Sequence, residues 1–184
     1  MTEEQKPAPR KHQSTYDWMQ SIVFTFLLVL CLLTFVGGPI GVQQQSMMPT
    51  LHDGDRMIVR SLFYTPDYGD IIIFSRRDFE GGQAVVKRVI GLAGDVIDIN
   101  GETGTVYRNG EALQEHFTNT PTNMVGTVSY PFFVPEGHVF VLGDNRNGSM
   151  DSRHIEIGAV DEREILGRVV GVVLPFNRAR LFWR

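Results

Sequence analysis

Ala84-Val85-Val86-Lys87-Arg88-Val89-Ile90 is an apolar run that contains two basic residues. A short run rich in valine and isoleucine predicts a β-strand with at least one buried face. Because alternate side chains of a strand share a face, Val85, Lys87 and Val89 should point together while Arg88 points away from them. Lys87 is therefore expected on the apolar side of this strand.

Lys87 is also unusual by composition. The chain has two other lysines, Lys6 and Lys11, and both lie near the N-terminus. After the apolar segment Lys87 is the one lysine in the sequence, whereas arginine is frequent. Burial disfavours the ammonium form and lowers the pKa of a lysine, so Lys87 is a candidate neutral amine that could accept a proton from a serine. The alternative is a surface lysine whose aliphatic stem lies on the protein while its ammonium group reaches water.

Strand patterns continue on both sides of this run. Further short runs of β-branched and aromatic residues, bounded by turn residues, lie at residues 56–60, 70–74, 95–99, 105–108, 138–142 and 167–174. They predict a mainly β fold, an antiparallel sheet or a barrel-like sheet whose corners the 19 glycines would form. Asn100-Gly101 and Asn109-Gly110 predict hairpin turns, the second leading into Ala112-Leu113. Residues 161–166 predict one helical turn, and residues 116–130 predict a surface loop.

An apolar segment lies near the N-terminus. Residues 18–52 contain no aspartate, glutamate, lysine or arginine, and residues 22–36 are apolar except for two threonines and Cys31. That length predicts a transmembrane helix over residues 18–37. Two alternatives are a cleaved signal peptide ending near Gly37-Gly38 and a buried core helix, although a core helix usually has a polar side.

The segments on either side of the helix complete the predicted domain organisation. Residues 1–17 should form a disordered cytoplasmic tail, and residues 38–184 should form one extracytoplasmic β domain. Lys6, Arg10 and Lys11 favour a cytoplasmic N-terminus, because short cytoplasmic segments are enriched in lysine and arginine. The protein is therefore expected to be a single-pass membrane protein with its β domain outside the cytoplasm.

Composition excludes several classes of function. The net charge is −4, and acidic residues outnumber basic residues after the tail, so nucleic acid is not an expected partner. Cys31 is the only cysteine, which rules out an intrachain disulfide and a cysteine-based zinc site. No histidine pattern indicates a metal site or a serine triad. No metal or organic cofactor is expected.

Three ordered motifs indicate a family. They are Ser46-Met47-Met48-Pro49-Thr50-Leu51, then Lys-Arg-Val-Ile-Gly-Leu-Ala-Gly-Asp at residues 87–95, then Gly-Asp-Asn-Arg-Asn-Gly-Ser-Met-Asp-Ser-Arg at residues 143–153. Together they resemble the type I signal peptidases, membrane-bound serine/lysine proteases that remove signal peptides from exported proteins. The single span and single domain resemble the compact form that is typical of Gram-positive bacteria, which implies a single-pass protein of the bacterial plasma membrane.

The resemblance implies roles for individual residues. Ser46 would be the nucleophile and Lys87 the general base, with Ser149 hydrogen-bonded to the Lys87 amine. In the third motif the resemblance implies that Asp151 and Arg153 form an ion pair that holds the loop. Asp144 and Arg146 would be further bracing residues. The alternative for this motif is a polar turn with an incidental ion pair, since glycine, asparagine, aspartate and serine dominate turns.

The resemblance also implies how a substrate would bind. Val42, Met47 and Val86 would line shallow apolar pockets for alanine-sized side chains before the cut, and the end of the signal peptide would add to a sheet edge as a strand. The expected partners are therefore the signal peptides of preproteins and the lipid bilayer.

Two residues depart from the family pattern. Ala93 replaces the usual proline, which should loosen a turn. Gln44 stands where relatives often carry serine, threonine or glycine, so its amide is a candidate second donor to the oxyanion beside the backbone N–H of Ser46.

Two other functions compete with this interpretation. A self-cleaving repressor would share the serine/lysine chemistry, but it needs a DNA-binding domain where this chain has the apolar segment. An inactive membrane-anchored binding or assembly factor of the same fold would typically lack the serine or the lysine, and both are present.

Overall fold

The computed structural model describes residues 13–36, 40–41, 45–76 and 82–182. The chain divides into two compact units between Phe35 and Val36. The first contains all but the last residue of one helix, α1 (Gln13–Val36), which lies on the apolar segment and begins within the predicted tail. In the part of the chain that is described, no helix combines the length and the apolar character needed to cross a membrane.

The second unit is built from antiparallel strands. In chain order the described strands are β1 (Ile40–Gly41), β2 (Arg56–Arg60), β3 (Ile71–Ser75), β4 (Ala84–Gly91), β5 (Val96–Asn100), β6 (Thr105–Arg108), β7 (Glu111–Ala112), β8 (Phe132–Phe133), β9 (His138–Leu142), β10 (Val160–Asp161), β11 (Ile165–Leu174) and β12 (Arg180–Leu181). The larger sheet has the order β1-β2-β11-β3-β4-β9-β10, with β12 paired to β11. The smaller sheet has the order β7-β6-β5-β8.

The prediction of a mainly β antiparallel fold is confirmed, but the larger sheet does not close into a barrel. Its described end strands, β1 and β10, pair only with β2 and β9. Closure requires a partner on both edges of every strand, and these end strands are two residues long. The sheet therefore stays open within the described residues.

Turn geometry follows the sequence at one predicted hairpin and differs at the other. Asn109 and Gly110 both have positive φ, 55° and 82°, as a two-residue turn between β6 and β7 requires. Asn100 instead opens a longer loop, because β5 and β6 pair it with Thr105. The predicted helical turn is a 3₁₀ turn at Glu162–Glu164.

Among the described residues three apolar clusters form the core, and the first two hold the segment with Ser46 and strand β4. Met47 and Leu51, 1% and 0% exposed, belong to the cluster between β2, β3 and β11. Val85 and Val89 on β4 belong to a second cluster with β3 and β9. Each such buried side chain contributes roughly 1.5–3 kcal/mol, so both segments are fixed to the core.

Both sides of β4 are covered, which the sequence did not indicate. Lys87 is buried as expected, but Arg88 is also buried, at 9% exposure. The reason is that β4 lies inside the sheet between β3 and β9, and loop residues cover its second face. The guanidinium of Arg88 lies 4.1 Å from the ring centroid of Phe117 in the 116–130 loop.

Candidate active site

Ser46 lies on a turn that follows β1. The backbone N–H of Met48 donates to the Gln45 carbonyl at 3.2 Å, and the N–H of Leu51 donates to the Met47 carbonyl at 2.9 Å. The Met48–Pro49 peptide bond is cis. Ser46 is 8% exposed, so its hydroxyl is presented from a buried, hydrogen-bonded turn.

The side chain of Lys87 reaches this turn from β4. Its Nζ donates to Ser46 Oγ at 2.7 Å and to the Val86 carbonyl at 3.1 Å. Lys87 is 1% exposed. A hydroxyl and an amine at this distance can exchange a proton directly, and burial favours the neutral amine.

The 143–153 loop is held by a buried ion pair. Arg153 Nε donates to Asp151 Oδ1 at 2.7 Å and Arg153 Nη2 donates to Asp151 Oδ2 at 2.8 Å, with both side chains at most 1% exposed. Asp151 Oδ2 also accepts from the N–H of Gly143 at 2.9 Å. The pair thus joins the two ends of the loop.

Two further ion pairs tie this loop to its surroundings. Asp144 accepts from Arg88 on β4, with an Nη2 to Oδ2 distance of 2.6 Å. Arg146 is 1% exposed, and its Nη2 donates to Glu115 Oε1 at 2.6 Å. The loop is therefore anchored to the strand that carries Lys87 and to the segment that follows β7.

Ser149 lies close to the nucleophile's backbone. An added Cβ on Gly143 would lie 2.5 Å from the Ser46 carbonyl oxygen and still closer to Ser149 Oγ, so only glycine fits between them. Ser149 Oγ is buried, and it has no hydrogen-bond partner among the described residues. The bond to the Lys87 amine that the resemblance implies is therefore not formed in this structure, and the supporting role of Ser149 stays a prediction.

The predicted substrate-binding residues lie in different places. Met47 is buried in the first core cluster, and Val86 is half-buried and packs against that cluster. Val42 and Gln44 lie outside the described residues. The described part of the site thus offers Val86 as a partly accessible apolar side chain.

Burial also affects a tyrosine near the ion-paired loop. It raises the pKa of Tyr130, and the nearby Asp151 carboxylate acts in the same direction against the opposing Arg153 charge. The phenol stays protonated and donates to the Val125 carbonyl at 3.0 Å. Among the described residues, no three histidine, cysteine, aspartate or glutamate side chains form a group that could hold a metal ion.

Asn145 contacts the segment that carries Ser46 directly, although the sequence pattern predicts no role for it. Its backbone N–H donates to the Ser46 carbonyl at 3.0 Å, and its side-chain Nδ2 donates to the Gln45 carbonyl at 3.2 Å. The only signal in the sequence was its position inside the third motif, beside Asp144 and Arg146.

A buried serine hydroxyl in contact with a lysine amine, on an antiparallel β scaffold, is the arrangement of the serine/lysine variants of serine hydrolases. Residues 15–174 match the family described as signal peptidase, peptidase S26. The chain belongs to the signal peptidase I family and is therefore a peptidase. The family resemblance seen in the three motifs is confirmed.

Three relatives illustrate the match. Signal peptidase I of Bacillus licheniformis is 35% identical over 190 residues, covering 98% of each chain. Probable signal peptidase I-1 of Synechocystis is 36% identical over 182 residues, covering 94% of this chain and 89% of that one. Signal peptidase I T of Bacillus subtilis is 34% identical over 196 residues, covering 98% of each. A crystal structure of a signal peptidase I from Enterococcus faecalis V583 is 32% identical and covers 57% of this chain and 97% of that chain, with a TM-score of 0.45.

Proposed function

We propose that this protein is a membrane-anchored serine endopeptidase that cleaves N-terminal signal peptides from exported preproteins after small residues. Ser46 is the nucleophile and Lys87 the general base. One observation carries the assignment of the pair: the 2.7 Å contact between Lys87 Nζ and Ser46 Oγ, formed by two buried side chains from distant parts of the sequence.

The reaction takes place in two stages. The neutral Lys87 amine takes the proton of Ser46 Oγ as the oxygen attacks the scissile carbonyl, and the resulting ammonium returns that proton to the leaving amine. The signal peptide then remains as an ester on Ser46. Lys87 next takes a proton from the water that attacks the ester, and it gives this proton to Ser46 Oγ as the signal peptide leaves as a carboxylic acid. In both stages the backbone N–H of Ser46 faces the developing oxyanion.

An open sheet edge beside Lys87 supports binding of the substrate as an added strand. In the described structure β9 pairs with β4 only from Arg88 onward, while β3 covers the other edge of β4 from Ala84. Among the described residues, no strand is paired with this backbone edge of residues 84–86. An extended peptide placed there would run past Val86 to the Ser46 hydroxyl.

Cleavage of a purified preprotein tests this proposal. The full-length protein in detergent is incubated with a preprotein that has alanine before the cut, and the new N-terminus is sequenced. A matched preprotein with leucine at that position should be cut far more slowly, because the proposed pockets accept alanine-sized side chains. Equal cleavage of both preproteins, or a cut elsewhere in the chain, would contradict the proposal.

The membrane anchor is part of the proposal and rests on the sequence. Residues 18–52 carry no aspartate, glutamate, lysine or arginine, and Trp18, Phe24 and Phe26 on α1 are each more than 60% exposed. Large exposed apolar side chains on a helix are explained if the helix lies in lipid.

The proposed orientation of the protein in the membrane can be tested by proteolysis. Protease added to spheroplasts should digest the β domain, residues 38–184, and spare the tail with Lys6, Arg10 and Lys11, as an antibody to each end would report. Spheroplasts permeabilised with detergent, in which both ends should be digested, are the control. Protection of the β domain in intact spheroplasts would overturn this orientation, and a mature protein beginning near Gly38 would show that the apolar segment is cleaved.

Gln44 is proposed as the second oxyanion donor through its side-chain amide. Gln44→Ala should lower kcat by at least about tenfold with little change in KM, because the hydrogen bond would form mainly in the transition state. An unchanged kcat would remove Gln44 from the site and leave the Ser46 N–H as the donor supplied by this turn.

A further inference from the structure

We infer that Asn145 is a positioning residue that orients the Ser46 N–H towards the oxyanion, an inference that rests on the proposed function. Asn145 holds the peptide groups on both sides of the nucleophile, one through its side chain and one through its backbone. The side-chain contact is the one that acts on the oxyanion donor.

The first contact is with the peptide group that carries this donor. The Gln45 carbonyl accepts from Asn145 Nδ2 and from the N–H of Met48, each at 3.2 Å. The C=O of Gln45 and the N–H of Ser46 belong to one planar trans peptide and point in opposite directions. Fixing the direction of the carbonyl therefore fixes the direction of the Ser46 N–H.

The second contact is with the next peptide group. The N–H of Asn145 donates to the Ser46 carbonyl at 3.0 Å, and this close approach is possible because Gly143 has no side chain there. The backbone before and after the Ser46 Cα is thus bonded to the same residue. Rotation of either peptide would break a hydrogen bond to Asn145.

Asn145 is itself held in place. Its chain neighbours Asp144 and Arg146 are both 1% exposed and form the ion pairs with Arg88 and Glu115 described above. Its carbonyl accepts from the N–H of Gly148 at 3.0 Å. A residue between two buried ion-paired neighbours loses little further freedom when it makes its own contacts, which suits it to fix the geometry of an oxyanion donor.

The loop offers a matched pair of variants. Asn145→Asp keeps size and backbone but replaces the donating NH₂ by an oxygen that repels the Gln45 carbonyl. Asn147→Asp makes the same change at an exposed residue whose amide donates to the Pro121 carbonyl at 3.1 Å, away from the nucleophile. Asn145→Ala removes the donor without adding a charge.

Full-length variants are assayed with the alanine preprotein. Both Asn145 variants should lower kcat by about 10- to 100-fold with KM nearly unchanged, whereas Asn147→Asp should match the wild type. A signal-peptide aldehyde forms a hemiacetal with Ser46 and places an oxygen at the oxyanion position. Its affinity should fall by the same factor in the Asn145 variants, while the affinity of the corresponding peptide alcohol should not change.

Three kinetic or binding results would overturn the inference. They are a kcat like that of Asn147→Asp, a rise in KM alone, and equal weakening of aldehyde and alcohol. Loss of the folded state in both Asn145 variants would also overturn it, in favour of a purely structural role. Failure of the proposed function is distinguishable, because in that case the wild type would not cut the preprotein or Ser46→Ala would still cut it.

Discussion

Replacing Lys87 by arginine is expected to abolish preprotein cleavage while the protein stays folded. Arginine keeps a positive charge at this position, but its guanidinium remains protonated and cannot take the proton of Ser46. Lys87→Ala and Ser46→Ala remove the base and the nucleophile, and each should also be inactive. Loss of a member of such a catalytic unit lowers kcat by roughly 10⁴–10⁶-fold.

The variants are compared by initial rates on the alanine preprotein and by thermal unfolding. Lys87→Met is a useful addition, because it fills a similar volume without an amine. Substantial turnover by any of the three Lys87 variants would exclude the lysine as the base. An unfolded Lys87→Arg variant leaves Lys87→Met and Lys87→Ala to decide the same question.

The second large effect concerns stability. Asp151→Asn should lower the free energy of unfolding by about 3–5 kcal/mol, because it leaves the buried Arg153 guanidinium without its counter-charge. Asp161→Asn is the matched control, since Asp161 pairs with Arg163, whose side chain is 90% exposed. The control should not change stability measurably, because water screens an exposed pair.

Urea unfolding of the full-length protein in detergent measures both variants. A similar, small loss of unfolding free energy in both variants would show that the buried Asp151–Arg153 pair does not hold the 143–153 loop. A large loss in Asp151→Asn alone is the expected result.

The long strands could be predicted from the sequence because their signal is local. β2, β6 and β9 have the predicted bounds, and β3, β4, β5 and β11 differ by one or two residues at one or both ends. The two-residue strands β1, β8, β10 and β12 carry no alternation of their own and form because a longer strand lies beside them. Closure of the sheet could not be predicted either, since it depends on how these short end strands meet other strands.

The candidate active site also combines features that the sequence predicts with features that it does not. The sequence named Ser46 and Lys87, and the structure brings the two side chains into contact although they are 41 residues apart. The sequence did not indicate the partners of the neighbouring residues. Arg88 is buried by the loop that contains Phe117, and Asn145 bonds to backbone carbonyls, which any residue type provides. Contacts of this kind leave no pattern in the sequence.

The pH dependence of kcat/KM tests most directly whether Lys87 acts as a neutral amine. Lys87 is buried, burial disfavours a charged ammonium, and the active form of the amine is the deprotonated one. We expect kcat/KM to rise with pH on the alkaline side of neutrality, with the same profile in the presence of EDTA or a thiol reagent. A rising limb centred near pH ~6.5, which is typical of histidine, or complete inhibition by EDTA, would contradict it.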